Sequence, residues 1–137
     1  MFLIDTNIFL ELFLNQKKAD ECEQLLNKIA KGDLEAVVTG FTIHAIETIL
    51  NDSKLVLTFL RSIENSLGLS AYDTTIDEEM YVAMLINKEN LDFDDGLQYY
   101  AAKKLGVEAI VSFDKHLDGL DIPRKEPKEV LGCKETL

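Results

Sequence analysis

Apolar positions fall along the 137-residue chain in two alternating rhythms. Short unbroken apolar runs predict strands over 1–5, 35–39, 69–75 and 108–112, with a last one near 120–122. Between these runs the spacing lengthens to that of a helix. Ile8, Phe9, Leu12 and Phe13 predict a short, very apolar helix over 7–15, and Cys22, Leu25, Leu26 and Ile29 share one stripe of a helix over 18–31 that ends at Gly32. Further helices are expected over 43–51, with Thr42 as cap, and over 54–67, closed by Gly68. Another over 77–90 carries Met80, Tyr81, Met84 and Leu85 on one side. A last helix opens at Asp94 or Asp95, one of them its cap, and runs to Lys104, with Gly106 as its stop. Beyond Pro127 the residues turn polar and are expected to be loose.

Buried strands alternating with helices specify an α/β protein. The expected architecture is a three-layer α/β/α sandwich around a central, mostly parallel sheet of four or five strands, joined by right-handed crossovers. A single domain over 1–127 and a polar tail over 128–137 account for the whole chain. In such sheets ligands gather beyond the carboxyl ends of the strands, where strand order reverses. Asp5 and Asp114 each follow an apolar run at that edge. Helix N-termini face the same way, which brings Asp94 and Asp95 there too.

Charge complicates the picture. With 25 acidic against 14 basic residues the net charge is −11, which argues against holding nucleic acid by bulk attraction. Carboxylates gathered around a divalent cation have the same signature, however, and the ion reverses the local sign. The acidity also suits a basic partner. No apolar stretch approaches the roughly 20 residues of a membrane span, and no basic leader precedes the first strand. Cys22, on an apolar stripe, and Cys133, in the tail, offer neither a disulfide framework nor zinc spacing, so a cytoplasmic protein is expected.

Each acidic candidate has an ordinary alternative. Asp5 can simply cap the first helix, unless Asn7 does so and leaves Asp5 to the sheet edge. Glu47 borders an apolar stripe without Lys or Arg within a turn, and a boundary glutamate of that kind is unremarkable by itself. Asp94 and Asp95 suit a helix start, where the dipole favours carboxylates, and adjacent helical residues point about 100° apart, so one of the two faces a site. Asp92 precedes that helix. Asp114 can form a turn, with Ser112 sharing its face. Together the four positions Asp5, Glu47, Asp94 or Asp95, and Asp114 map to one sheet edge. An oxygen-only set selects Mg²⁺ or Mn²⁺, and neither His44 nor His116 has zinc-type spacing.

In that order the segments resemble the PIN-domain ribonucleases, particularly the small stand-alone VapC-type toxins. The resemblance runs from Met1 to about Pro123. It rests on Ile4-Asp5-Thr6-Asn7, on Glu47 in His-Ala-Ile-Glu, on Asp95-Gly96-Leu97-Gln98-Tyr99-Tyr100-Ala101-Ala102 ending at Leu105-Gly106, and on Ile110-Val111-Ser112-Phe113-Asp114. Gly96 stands where the family has Ala, and Asp114-Lys115-His116-Leu117 departs from the family's Asp-x-Asp-Phe. The resemblance implies an endoribonuclease that uses one or two Mg²⁺ or Mn²⁺ ions and a metal-activated water, leaving a 5′-phosphate and a 3′-hydroxyl. Asp5, Glu47, Asp95 and Asp114 would be the ligands, with Asp94 an alternative to Asp95. Asn7, Thr6 and Ser112 would support them, and Lys115, Arg124 and Lys125 would contact phosphates.

It further implies an RNA substrate and a protein antitoxin. Phe9, Leu10, Leu12, Phe13 and Leu14 offer more apolar surface than one short helix buries in a small domain, so some of it is expected to meet a second copy, in a homodimer, or an antitoxin. The alternative is a catalytically inactive PIN-fold module that binds RNA or protein. A phosphatase of the haloacid dehalogenase type needs a second Asp two residues after the first, where Asn7 stands.

Overall fold

The computed structural model describes the backbone of residues 1–135 and side chains as far as Gly132, so the side chain of Cys133 lies outside the described residues. Five parallel strands form the central sheet: β1 (Phe2–Ile4), β2 (Ala36–Thr39), β3 (Leu69–Tyr72), β4 (Ala109–Val111) and β5 (Arg124–Lys125), in the order β3-β2-β1-β4-β5. β1 therefore sits at the centre, with Phe2 opposite both Ala36 and Ala109. The chain first builds outward on one side of β1 and then returns to the other. The switch point falls between β1 and β4.

Helices cover both faces: α1 (Thr6–Phe13), α2 (Ala19–Ala30), α3 (Gly40–Leu50), α4 (Ser53–Glu64), α5 (Ile76–Glu89), α6 (Phe93–Leu105) and α7 (Pro127–Glu135). Pleating sends successive side chains of a strand to opposite faces. Ile4, Val38 and Val111 accordingly join Ile8, Leu25, Ile46 and Phe59 in one core, while Leu3, Val37 and Ile110 join Ala101, Ala102 and Leu117 in the other. This is the three-layer α/β/α sandwich that the alternating pattern specifies. Cys22 is fully buried in the first core, and that burial pushes its thiol up to about 12, so it acts there as a small apolar side chain.

Four local expectations are corrected. The last strand is Arg124–Lys125 and not 120–122; Pro123 has no N–H, and its carbonyl accepts from the Ile110 amide to start the pairing. Residues 128–135 are not a loose tail: they belong to α7, which packs on α2 and seats Val130 at 2% exposure in the first core. Thr39, not Thr42, caps α3, its hydroxyl accepting from the Thr42 amide. Asp92 holds the cap position of α6, so Asp94 and Asp95 both lie inside its first turn.

The apolar excess of α1 is also absorbed. Phe9 and Phe13 each meet Phe59 of α4 edge-on at 5.6 Å between ring centres, and only Leu14 is well exposed. The argument for self-association drawn from α1 thus loses its basis. Among the described residues no helix is long and apolar enough to cross a membrane.

Candidate functional site

Beyond the carboxyl ends of β1 and β4 lies a cleft of about 240 Å³ whose lining includes Asp5, Asp94, Asp95 and Asp114. Three elements deliver these carboxylates. β1 ends at Ile4, so Asp5 emerges at the switch point and also caps α1, its Oδ1 accepting from the Thr6 amide at 2.9 Å. Asp5 thus fills both roles weighed for it, and Asn7 lies within α1. Asp94 and Asp95 come from the N-terminal turn of α6. Asp114 follows β4 and caps a 3₁₀ turn over Lys115–Leu117 through the His116 amide.

Asp5 is held by a converging set of donors. Ser112 Oγ donates to its Oδ2 at 2.6 Å, and Asn7 Nδ2 approaches the same oxygen at 3.4 Å. Gln98 Nε2 donates to Oδ1 at 2.9 Å. Gln98, at 2% exposure, also donates to Thr42 Oγ and accepts from Thr39 Oγ. Thr6 Oγ and Thr42 Oγ lie 3.0 Å apart, tying α1 to α3. Asn7 reaches across to Ser112 Oγ at 3.1 Å and accepts from the Phe113 amide. Thr6, Asn7 and Ser112 therefore surround Asp5. Gln98, which no sequence motif singles out, is the hub of the network. Its one signal is position: it stands three residues after Asp95, hence on the same face of α6.

Asp95 is the electrostatically strained member. At 8% exposure it loses hydration, and Asp114, Asp5 and Asp92 press on it with like charge, opposed weakly by His116. Together these push its carboxyl up from 3.8 to about 6. Ligand-capable atoms of Asp95, Asp114 and His116 all lie within 4.8 Å of one another. His116 is exposed, yet its Nδ1 stands 3.2 Å from Asp114. It occupies the position two residues after Asp114 where the final motif departs from the family. A buried carboxylate that its neighbours push toward neutrality is a group whose charge a hard cation would restore, so the oxygen-rich donor set fits a divalent ion.

Two expected site residues are not brought to the cleft. Glu47 is absent from the lining; α3 presents Phe41, Ala45 and Ile49 instead. Two residues beyond Ala45 the helix has turned about 200°. The Glu47 carboxylate there bonds His44 Nδ1 at 2.9 Å on the outer face. The signal available was the i, i+4, i+8 spacing of Phe41, Ala45 and Ile49, which marks the inward stripe. Arg124, expected to contact phosphate, is only about 10% exposed and is consumed internally. It bonds Asp118, the Ser112 carbonyl and Glu126, which makes it a strut for the β4 end. Lys115 is exposed, as a phosphate contact would be.

No curated protein matches the chain. Among solved structures, Mycobacterium tuberculosis VapC20, a sarcin–ricin-loop-cleaving toxin, superposes with a TM-score of 0.69 at 15% identity, covering 83% of this chain and 90% of that one. A toxin–antitoxin complex from Klebsiella pneumoniae gives a TM-score of 0.71 at 16% identity, covering 93% of this chain and 98% of that one. Both likenesses are of fold. The family model for the PIN domain matches residues 1–116, most of the chain, and on that match, together with the β3-β2-β1-β4-β5 sheet and its acidic switch point, this protein belongs to the PIN-domain family.

Proposed function

We propose that the chain is a divalent-metal-dependent endoribonuclease, the toxin of a toxin–antitoxin pair. The observation that carries this reading is the crowding of Asp95 by Asp114 and Asp5 in one cleft, with Asp92 adding like charge from the cap position of α6. Asp95 and Asp114 would hold the ion, with Asp5 and Asp94 lining the same cleft and His116 as a nitrogen donor. Glu47 drops out of the set because it faces His44. Such an ion, one or two of Mg²⁺ or Mn²⁺, would polarise a phosphodiester and activate the attacking water.

The protein's own contribution is orientation. Gln98, Ser112 and Asn7 fix both oxygens of Asp5, and Arg124 fixes the chain at Ser112, from which Asp114 is hung through its amide. Phe41, Ala45 and Ile49 give the cleft an apolar lining beside the acids.

The structural neighbours that are toxins or toxin complexes support an antitoxin as partner. For self-association the reading passes to α5, where Ile76, Met80 and Met84 are exposed at 80, 62 and 69% on one helical stripe. Sedimentation as a monomer at micromolar concentration would remove it.

One observation favours the alternative, an inactive RNA- or protein-binding module: α3 offers the cleft an alanine rather than an acid. The experiment that decides is cleavage of single-stranded RNA with Mn²⁺. Wild type should cut, EDTA should stop it, and Asp5→Asn and Asp95→Asn should both be silent. Equal cleavage by the variants would reveal a contaminant, and no cleavage by wild type would leave the module.

A further inference from the structure

Beside the acidic cleft lies a second and larger depression. Phe113 and Lys115, the two neighbours of Asp114, leave the cleft and line a groove of about 700 Å³ with Lys17 and Lys18. α1 runs through both: Asn7 and Leu10 line the cleft, Glu11 the groove. The two depressions are therefore neighbours, their linings meeting in sequence at Leu10-Glu11 and at Phe113-Asp114-Lys115.

The chemistry changes between them. The chain has 14 basic against 25 acidic residues, yet three exposed lysines converge on this one groove. Lys17 and Lys115 make no ion pair among the described residues. Lys18 stands 4.8 Å over the centre of the Phe113 ring and 3.2 Å from Glu126. The two acids in the groove are already engaged. Glu11 accepts from the Lys18 amide at 2.9 Å, and Glu126 is bonded by Arg124 as well as by Lys18. An aromatic ring that shares one groove with three lysines suits the alternation of base and phosphate in a single strand, which needs stacking surface and cations at short intervals.

We propose that this groove carries single-stranded RNA away from the cleft. Lys115 and Lys17 take backbone phosphates on either side of Phe113. A base lies on the Phe113 ring in place of the Lys18 ammonium, which swings to a third phosphate. The assignment rests on the nuclease reading, since it takes the strand's scissile phosphate to lie at Asp114. It also explains how a protein of net charge −11 holds a polyanion: the cations are few but placed where the strand must pass.

The test compares wild type with Lys17→Gln/Lys115→Gln, using a fluorescent single-stranded RNA and anisotropy in Ca²⁺ across a salt series. Lys31→Gln, at the far end of α2, is the control. The double variant should bind about tenfold more weakly, with a salt slope shallower by about 1.4, because each single-strand phosphate contact contributes about 0.7. Its Mn²⁺ binding by calorimetry and its melting temperature should equal those of wild type. Phe113→Ala should weaken binding without changing the salt slope. An unchanged slope in the double variant, with RNA still cut normally, overturns the groove and leaves the nuclease reading standing. Wild type that binds RNA with the expected slope but never cuts it supports the groove and ends the nuclease reading. Wild type that neither binds nor cuts ends both.

Discussion

Replacing Asp95 by Asn should make the metal-free protein more stable while abolishing the Mn²⁺-dependent cleavage proposed for it. The folded state raises the Asp95 carboxyl from 3.8 to about 6, so it holds the proton more tightly than the unfolded chain does. Stability from this group is therefore full below about pH 4, falls as pH rises through that window, and is lost above about pH 6. At about 1.4 kcal/mol per pH unit, the charged carboxylate costs the fold about 3 kcal/mol at neutral pH. Asn removes both the like-charge repulsion and the burial of a charge. It leaves an amide poorly supplied with partners, at about 1 kcal/mol. The net expectation is a gain of about 2 kcal/mol at pH 8, or about 6 °C in melting temperature for a domain of this size.

Far-UV circular dichroism melts at pH 4 and pH 8 read this directly, in EDTA and again in Mn²⁺. In EDTA the variant should exceed wild type at pH 8 and lose that advantage at pH 4. With Mn²⁺ at about 100 times its dissociation constant, wild type gains about 2.7 kcal/mol and the variant none, so the order at pH 8 reverses. A variant that melts below wild type at pH 8 in EDTA would refute the account of Asp95 as a strained carboxylate. So would an equal gain at both pH values.

Gln98→Leu should lose about 3 kcal/mol in urea titrations, because it takes one buried partner each from the Thr39 and Thr42 hydroxyls and removes a donor from Asp5. It should also weaken Mn²⁺ binding by about 10- to 100-fold; binding unchanged in calorimetry would mean that Asp5 needs no such support. Gly96→Ala restores the family's usual residue but should destabilise by about 1–2 kcal/mol. The new Cβ would lie 2.4 Å from Ile86 Cγ2 and 3.1 Å from Val82 Cγ1, forcing α5 off α6. A more stable Gly96→Ala, as intrinsic helix propensity alone would give, would show that the pair yields easily.

Strands β1, β2 and β4 are legible as apolar runs because both of their faces are covered, so no polar residue interrupts them. β5 is not, being two residues of an edge strand that are themselves basic, Arg124 and Lys125. α7 escapes the same reading because two anchors, Val130 and Leu131, hold an otherwise polar helix. At the site, Asp5, Asp95 and Asp114 can be found from chain position alone, since strand ends and helix starts meet at one edge whatever the side-chain detail. Glu47 needed rotational register, and that depends on which stripe of α3 faces inward; an acid beside an apolar stripe looks the same from either side. Gln98 and the burial of Arg124 depend on partners about 60 and more residues distant or on cross-strand pairing, and no local pattern encodes them.

The hydrogen bond from Ser112 to Asp5 spans 107 residues of sequence, and it joins the middle strand of the sheet to a neighbour translated near the end. Contacts so far apart in sequence are costly to close and form late. A chain halted anywhere before β4 lacks one wall of its own cleft, with β1 paired on a single side. Fragments left by interrupted synthesis or by proteolysis would thus lack the assembled acidic cleft, and any RNA cleavage of the kind proposed is withheld until β4 has been made.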